Sequence, residues 1–340
     1  MQRERYIDSA KGIGIILVVF AHMILINELE SLTFLTRYIY SFHMPLFFVI
    51  SGYCFGIKKT DSEISLFAEI KKVFLRLLVP YLVWSLIYMY IGGQLTTIER
   101  IKATITLRGI APLWFLGALA LCEIAFLILR RLVDKSRKTL VKLIVYALVC
   151  AASLAVAYAM KFAKIHFGIS ADTIGTTAYY LYVTAGRFAL SFPMLLFGFV
   201  FAKAEVIKRM GKVCNGVVGT ALILAMVVIV KVSGLSVNFH LFEISSIAMF
   251  LCAALIGSAG VLMISYSFAH FSKSLNYIGR NSLGIMVLHY IPFLALSYAE
   301  KFTSFVWENE VFISIFGTAV AIGISLFGIW LCRKKFFIVK

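Results

Sequence analysis

Charge is scarce in this chain, and acidic charge scarcer still. Asp, Glu, Lys and Arg together make up 14% of the residues, with 16 acids against 33 bases. So low a charged share excludes an ordinary soluble domain, in which about a quarter of residues are charged. Proline is rare, at 5 residues. No linker, internal repeat or low-complexity stretch interrupts the sequence, so a single domain over residues 1–340 is expected. The six cysteines (Cys54, Cys122, Cys150, Cys214, Cys252, Cys332) stand mostly inside apolar runs and lack ligand spacing. They read as small buried hydrophobes rather than a metal site, and no metal is expected. Alternation of apolar and polar residues is missing, which argues against a β-barrel. The net charge of +17 invites a nucleic-acid partner, but the basic residues fall in short clusters between apolar segments. No nucleic-acid-binding module has room.

What is present is apolar sequence, at 61% of the chain and a mean hydropathy of +0.95. Runs long enough to cross a hydrocarbon core of about 30 Å recur throughout. The fold class expected is all-α, a polytopic transmembrane helical bundle. Ten spans can be drawn, near 12–28, 38–57, 77–95, 112–133, 140–160, 178–202, 214–232, 242–268, 281–298 and 311–332, with Asp8 as an earlier start for the first. Pro80, Pro112, Pro193 and Pro292 lie at or within helix ends, where neighbouring helices can satisfy the freed carbonyls. The N-terminus has a short basic flank and an apolar run without a small-x-small cleavage site, and so reads as an uncleaved first helix. Counting Lys and Arg between spans gives 23 on the side of the termini and 8 on the other. Both termini are therefore expected in the cytoplasm.

Against this apolar background the ionisable residues inside spans stand out, since each costs a few kcal/mol in a membrane and marks a functional site by default. With the orientation above, Lys11 stands at the cytoplasmic mouth of the first span and His22 about 16 Å further along it. His43 begins FHMPLFFVISGY near the outer end of the second, so the two histidines share the outer half. Asp8 and Lys11, three apart, lie on one helix face. An apolar setting keeps a histidine neutral, as a general base must be. The plainer reading of His22 is a polar residue hydrogen-bonded between helices; that of His43 is an interfacial anchor, and that of Lys11 a topology charge. Glu123 and Arg187 read first as a pair with each other. His289 falls near mid-depth. Lys72 and Arg76, four apart, suit anionic lipid or a phosphate-bearing ligand. Trp114 reads as an interface-belt residue, and Ser51-Gly52 as a point of close helix approach.

The run YIDSAKGIGIILVVFAHM, then SFHMPLFFVISGYCFG, KKVFLRLLVPYLVW, PLWFLGAL and GRNSLGIMVLHYIPF, in this order, resembles the acyltransferase 3 family, and within it the fucose 4-O-acetylase-like bacterial membrane proteins. The resemblance covers residues 6 to about 293 and agrees with ten spans. It implies transfer of an acyl group, usually acetyl from acetyl-CoA, to a hydroxyl of a cell-surface glycan or its lipid-linked precursor, in the bacterial inner membrane. The family's basic residue, ten intervening positions and histidine fall on Lys11 and His22. His22 is then the catalytic base, or the residue that first takes the acetyl group, and Lys11 supports the site or the donor. The basic pair before the third span falls on Lys72 and Arg76, which would hold the donor's phosphates. The family often carries arginine at the position of Lys11, and another three before Arg76, where this chain has Val73. His43 would orient or protonate partners, with Trp114, Glu123, Arg187 and His289 as substrate or structural support. The expected partners are membrane lipids and the glycan acceptor, with the oligomeric state open. A transporter or flippase of a small molecule or glycan precursor, and a non-catalytic recognition domain, remain alternatives. The inverted repeats and Gly-broken helices frequent in transporters are not seen in the sequence.

Overall fold

The computed structural model describes residues 4–26, 29–58, 64–92, 97–136, 138–268, 273–293 and 310–335. The far end of the ninth expected span, and Arg3, Lys59, Arg137, Lys301 and Lys340 of the charge count, lie outside these. The described residues are overwhelmingly helical, with two-residue strands at Val237–Asn238 and Glu243–Ile244. Eight helices among them are long and apolar enough to cross a membrane, so the chain is a multi-pass helical membrane protein. The other two expected segments are also helical. Trp114–Val133 carries Glu123, Arg130 and Arg131 along its length, and Ser282–Phe293 is shorter.

Residues Met1–Ile50, Glu205–Asn238 and Ile244–Lys340 form one compact unit. Its elements are α1 (Arg5–Ile26), α2 (Thr33–Tyr40), the start of α3 (His43–Ile57), α11 (Val206–Ser233), α12 (Ile247–Phe268), α13 (Lys273–Arg280), α14 (Ser282–Leu288) and α15 (Glu310–Lys335). Helix α1 begins at Arg5 rather than at residue 12 because Tyr6, Ile7 and Ala10 bury as fully as the run that follows. Asp8 in its first turn faces the positive end of the helix dipole. Helix α1 is the hub of this unit, packing on α12, α13, α14 and α15. Its approach to α13 needs Gly279, because a Cβ there would strike the Asp8 carbonyl oxygen. Beside it, Ser9 Oγ donates to Asn276 Oδ1 at 2.8 Å.

The second unit, Ser51–Ala204 with Phe239–Glu243, holds the end of α3, α4 (Leu66–Val73), α5 (Val79–Ile91), α6 (Ile98–Ile105), α7 (Trp114–Val133), α8 (Thr139–Phe167), α9 (Ala171–Ile174) and α10 (Thr176–Lys203). An aromatic cluster forms its centre, with Phe126 between Phe55 (4.9 Å) and Phe199 (5.0 Å), and Tyr146 on Phe199 at 5.5 Å. Gly52 lets α3 rest on α10, since a Cβ would meet the Leu195 carbonyl; the close approach expected at Ser51-Gly52 is there. Between α4 and α5 the backbone widens to a π turn over Phe74–Leu78. Its cause is local. Pro80 has no N–H for the carbonyl of Arg76, four residues back, and its ring would crowd that carbonyl in a regular helix. Most of α8 is exposed apolar surface, which suits lipid rather than water.

The cysteines depart from expectation. All six are free, only Cys122 is buried, and Cys214 and Cys252 are exposed. An apolar run marks a span but not which of its faces is inside, because a lipid-facing position is as apolar as a core one.

Candidate active site

In the first unit, α13 and α14 pack against α1 and bring two pairs of side chains together. At the beginning of α1, Asp8 is 2% exposed and accepts from Arg280 Nε at 3.2 Å. This ion pair goes to α13, whose Gly279 lets the following arginine reach across, while Lys11 stays partly exposed. Fourteen positions further along α1, His22 Nδ1 lies 2.9 Å from Nε2 of the buried His289. The two rings stack with an interplanar angle of 5°, and Tyr290 stands edge-on to both at 6.1 Å.

Hydrogen-bond direction in this pair follows from a carbonyl. His289 Nδ1 lies 3.0 Å from Ile285 O, which can only accept, so Nδ1 carries the proton and Nε2 a lone pair. His22 must then donate through Nδ1, so that in its neutral form Nε2 is the nitrogen without a proton. This is the logic by which a general base is oriented through its other nitrogen. His43 is held differently. Its Nδ1 donates to Ile39 O at 2.7 Å, and Tyr40 packs on its ring at 5.0 Å.

In the second unit the π turn presents Arg76 to α7, where it ion-pairs with Glu123. Glu123 also accepts from Ser51 Oγ at 2.6 Å. The Arg76 side chain remains 49% exposed and that of Glu123 only 3%. Lys72, one turn earlier, is exposed. The expected pairing of Glu123 with Arg187 is thus overturned, because Arg76 reaches the carboxylate first. Arg187 instead donates to the carbonyls of Val183 (3.3 Å) and Arg108 (3.0 Å) and covers the Trp114 ring at 5.1 Å. Trp114 is accordingly buried, at 6% exposure, rather than placed in an interface belt. His240 stacks on its ring at 5.9 Å. Burial, and then the nearby charges of Arg187 and Arg108, push the His240 pKa down to about 3.

Three residues of these clusters were not legible as site members in the sequence. Arg280 and Arg108 counted only as topology charges, although Arg280 stands in the GRNSLGIMVLHYIPF block. His240 lies between two spans in SVNFHLFEIS, where flanking aromatics were the only hint of burial. No group of three or more His, Cys, Asp and Glu side chains gathers as a metal site among the described residues.

A family model described as "Acyltransferase domain" matches residues 4–333. Among curated proteins, the nodulation protein NolL of Mesorhizobium japonicum is similar, at 29% identity over 169 residues that cover 46% of this chain and 42% of that protein. The chain therefore matches less than half the length of that relative. With the family model spanning nearly every residue described above, the chain belongs to the acyltransferase 3 family.

Proposed function

We propose that this protein is a membrane O-acyltransferase that moves a short acyl group, acetyl from acetyl-CoA, to a hydroxyl of a cell-surface or lipid-linked glycan. The observation that carries the reading is the hydrogen bond between His22 and His289, anchored on the Ile285 carbonyl. It leaves Nε2 of the neutral His22 without a proton and fixes the ring in place. In this mechanism His22 Nε2 takes the proton of the acceptor hydroxyl as its oxygen attacks the thioester carbonyl, and the thiolate of coenzyme A leaves. His289 is a positioning residue that holds the tautomer and shares the imidazolium charge through the hydrogen bond. A positioned base of this kind contributes about 10²–10⁴-fold to rate. Lys72 and Arg76 are assigned to the donor's phosphates. Glu123 steadies the Arg76 guanidinium through one of its nitrogens, leaving further N–H groups for a ligand. Asp8 and Lys11 on the first turns of α1, with Arg280 of α13, are assigned to the support of the donor side. The fucose 4-O-acetylase-like branch, the bacterial inner membrane and cytoplasmic termini belong to the same reading.

The test is release of coenzyme A from acetyl-CoA by the purified chain with a pool of extracted surface glycans, beside the same assay on His22→Ala. The expected result is acceptor-dependent release in the parent and none above background in the variant, at equal membrane insertion. If the parent released no coenzyme A with any acceptor, transport or recognition would replace transfer as the function.

A further inference from the structure

Around Trp114 in the second unit, three polar groups are buried with hydrogen-bonding capacity left over. Arg187 is fully buried, and while its Nε and Nη2 donate to carbonyls, its Nη1 has no hydrogen-bond partner. Nε of Arg108 and Nε2 of His240 are likewise buried and unpartnered. Among the described residues, no carboxylate pairs with either arginine. Buried polar groups are nearly always satisfied, and an exception calls for an absent partner. Two guanidinium groups near one another in a membrane protein, without a counter-charge, are costly to keep. A ligand that answers both guanidinium groups carries negative charge.

The surroundings are constructed. Residues 104–109 are pinned by Tyr81 OH to Thr104 O at 2.8 Å and by Thr184 Oγ1 to Thr106 O at 3.0 Å. Gly109 adopts φ +77, where a Cβ would strike the Trp114 backbone, so only glycine lets this segment fold over the start of α7. Leu107 holds φ 57 in the same turn, a conformation costly for a leucine and kept where the surroundings over-determine it. Phe242 packs into the space above Gly186, which holds the loop carrying His240 against α10, one residue from Arg187. His240, held neutral, adds a ring nitrogen without adding a third positive charge.

We propose that Arg187, Arg108 and His240 form a receptor for one oxyanion, a carboxylate or phosphate, on the molecule this protein acts on. Arginine suits such a ligand because its planar fork matches two oxygens at once. The assignment of that oxyanion to the acceptor rests on the transferase reading; the anion site itself rests on the cluster alone. On that reading the acceptor is an acidic saccharide or a sugar phosphate, and a neutral sugar is a poor substitute.

Binding without turnover tests the site separately from transfer. The purified full chain, in dodecyl maltoside, which carries no phosphate, is titrated with glucuronate, glucose 1-phosphate and glucose, each followed by thermal shift and calorimetry. The expected result is saturable binding of glucuronate, glucose 1-phosphate or both, weak or absent binding of glucose, and a loss of about tenfold or more in Arg108→Gln. Arg108 is partly exposed, so this variant should keep the parent's unfolding midpoint without ligand. Arg187→Lys, which keeps the charge and removes the fork, should weaken the same ligands. Binding of glucuronate alone supports a carboxylate, and of glucose 1-phosphate alone a phosphate. Glucose binding as tightly as either anion, unchanged binding in Arg108→Gln, or no saturable binding would overturn the site. Displacement of a bound sugar anion by coenzyme A would overturn its assignment to the acceptor.

Discussion

Asp8 shows how one residue's surroundings decide its role. A carboxylate 2% exposed in a chain with 16 acids in all is retained because Arg280 and the first turn of α1 compensate it. Removing Arg280 leaves the charge buried and half-answered, so Arg280→Ala should destabilise the protein by about 1–3 kcal/mol. The double variant Asp8→Asn, Arg280→Ala should recover part of that loss, read as the unfolding midpoint in detergent. Equal loss in both variants would show that the ion pair is not the source. His240 makes a pH-dependent contribution. Folded, its pKa is about 3, against about 6.5 in the unfolded chain. Between those values the unfolded chain binds a proton that the folded chain refuses. The contribution is therefore fully present above pH 6.5 and is lost as pH falls toward 3. Replacing His240 by Gln should lessen the drop in unfolding temperature between pH 7 and pH 5, and an unchanged drop would remove His240 from the explanation.

At the scale of elements, helix contacts depend on single small residues. Gly52 admits the Leu195 carbonyl of α10, whereas Gly323 in α15 has nothing within 4 Å of where a Cβ would stand. Gly52→Ala should lower the unfolding midpoint and Gly323→Ala should leave it near the parent's, since only the first forces two backbones apart. The sequence made the helices legible, because a lipid-crossing segment must be long and apolar. It also marked Ser51-Gly52 as a close approach. It did not show the π turn at Phe74–Leu78. Composition reads four-residue spacing between Lys72 and Arg76 as one shared face, but Pro80 widens the turn between them. Glu123 was then matched with Arg187 by depth, when the widened turn delivers Arg76 to it. Trp114 was misjudged for a related reason: an aromatic at a helix end looks the same whether it meets lipid or lies under an arginine.

At the scale of the molecule, topology and chemistry make separate demands. On the positive-inside rule, the charge asymmetry of the sequence leads to the proposal that both termini are cytoplasmic. Reporter fusions at each terminus, one active only in the cytoplasm and one only outside, should both report cytoplasm; an external signal at either would reverse or break the assignment. The histidine pair proposed for catalysis was only half visible. His22 and His289 both stood out as polar residues in apolar runs, yet they are 267 residues apart, and nothing local in either helix names its partner. Only the packing of α13 and α14 along α1 joins them. That pairing is tested by a double-mutant cycle on acceptor-dependent release of coenzyme A, with His22→Ala, His289→Ala and the two combined. If His289 acts through His22, His22→Ala should lose about 10²-fold or more, His289→Ala less, and the combined variant no more than His22→Ala alone. Near-parent activity in His22→Ala, or losses that multiply in the combined variant, would contradict the assignment of His22 as the base and His289 as the residue that orients it.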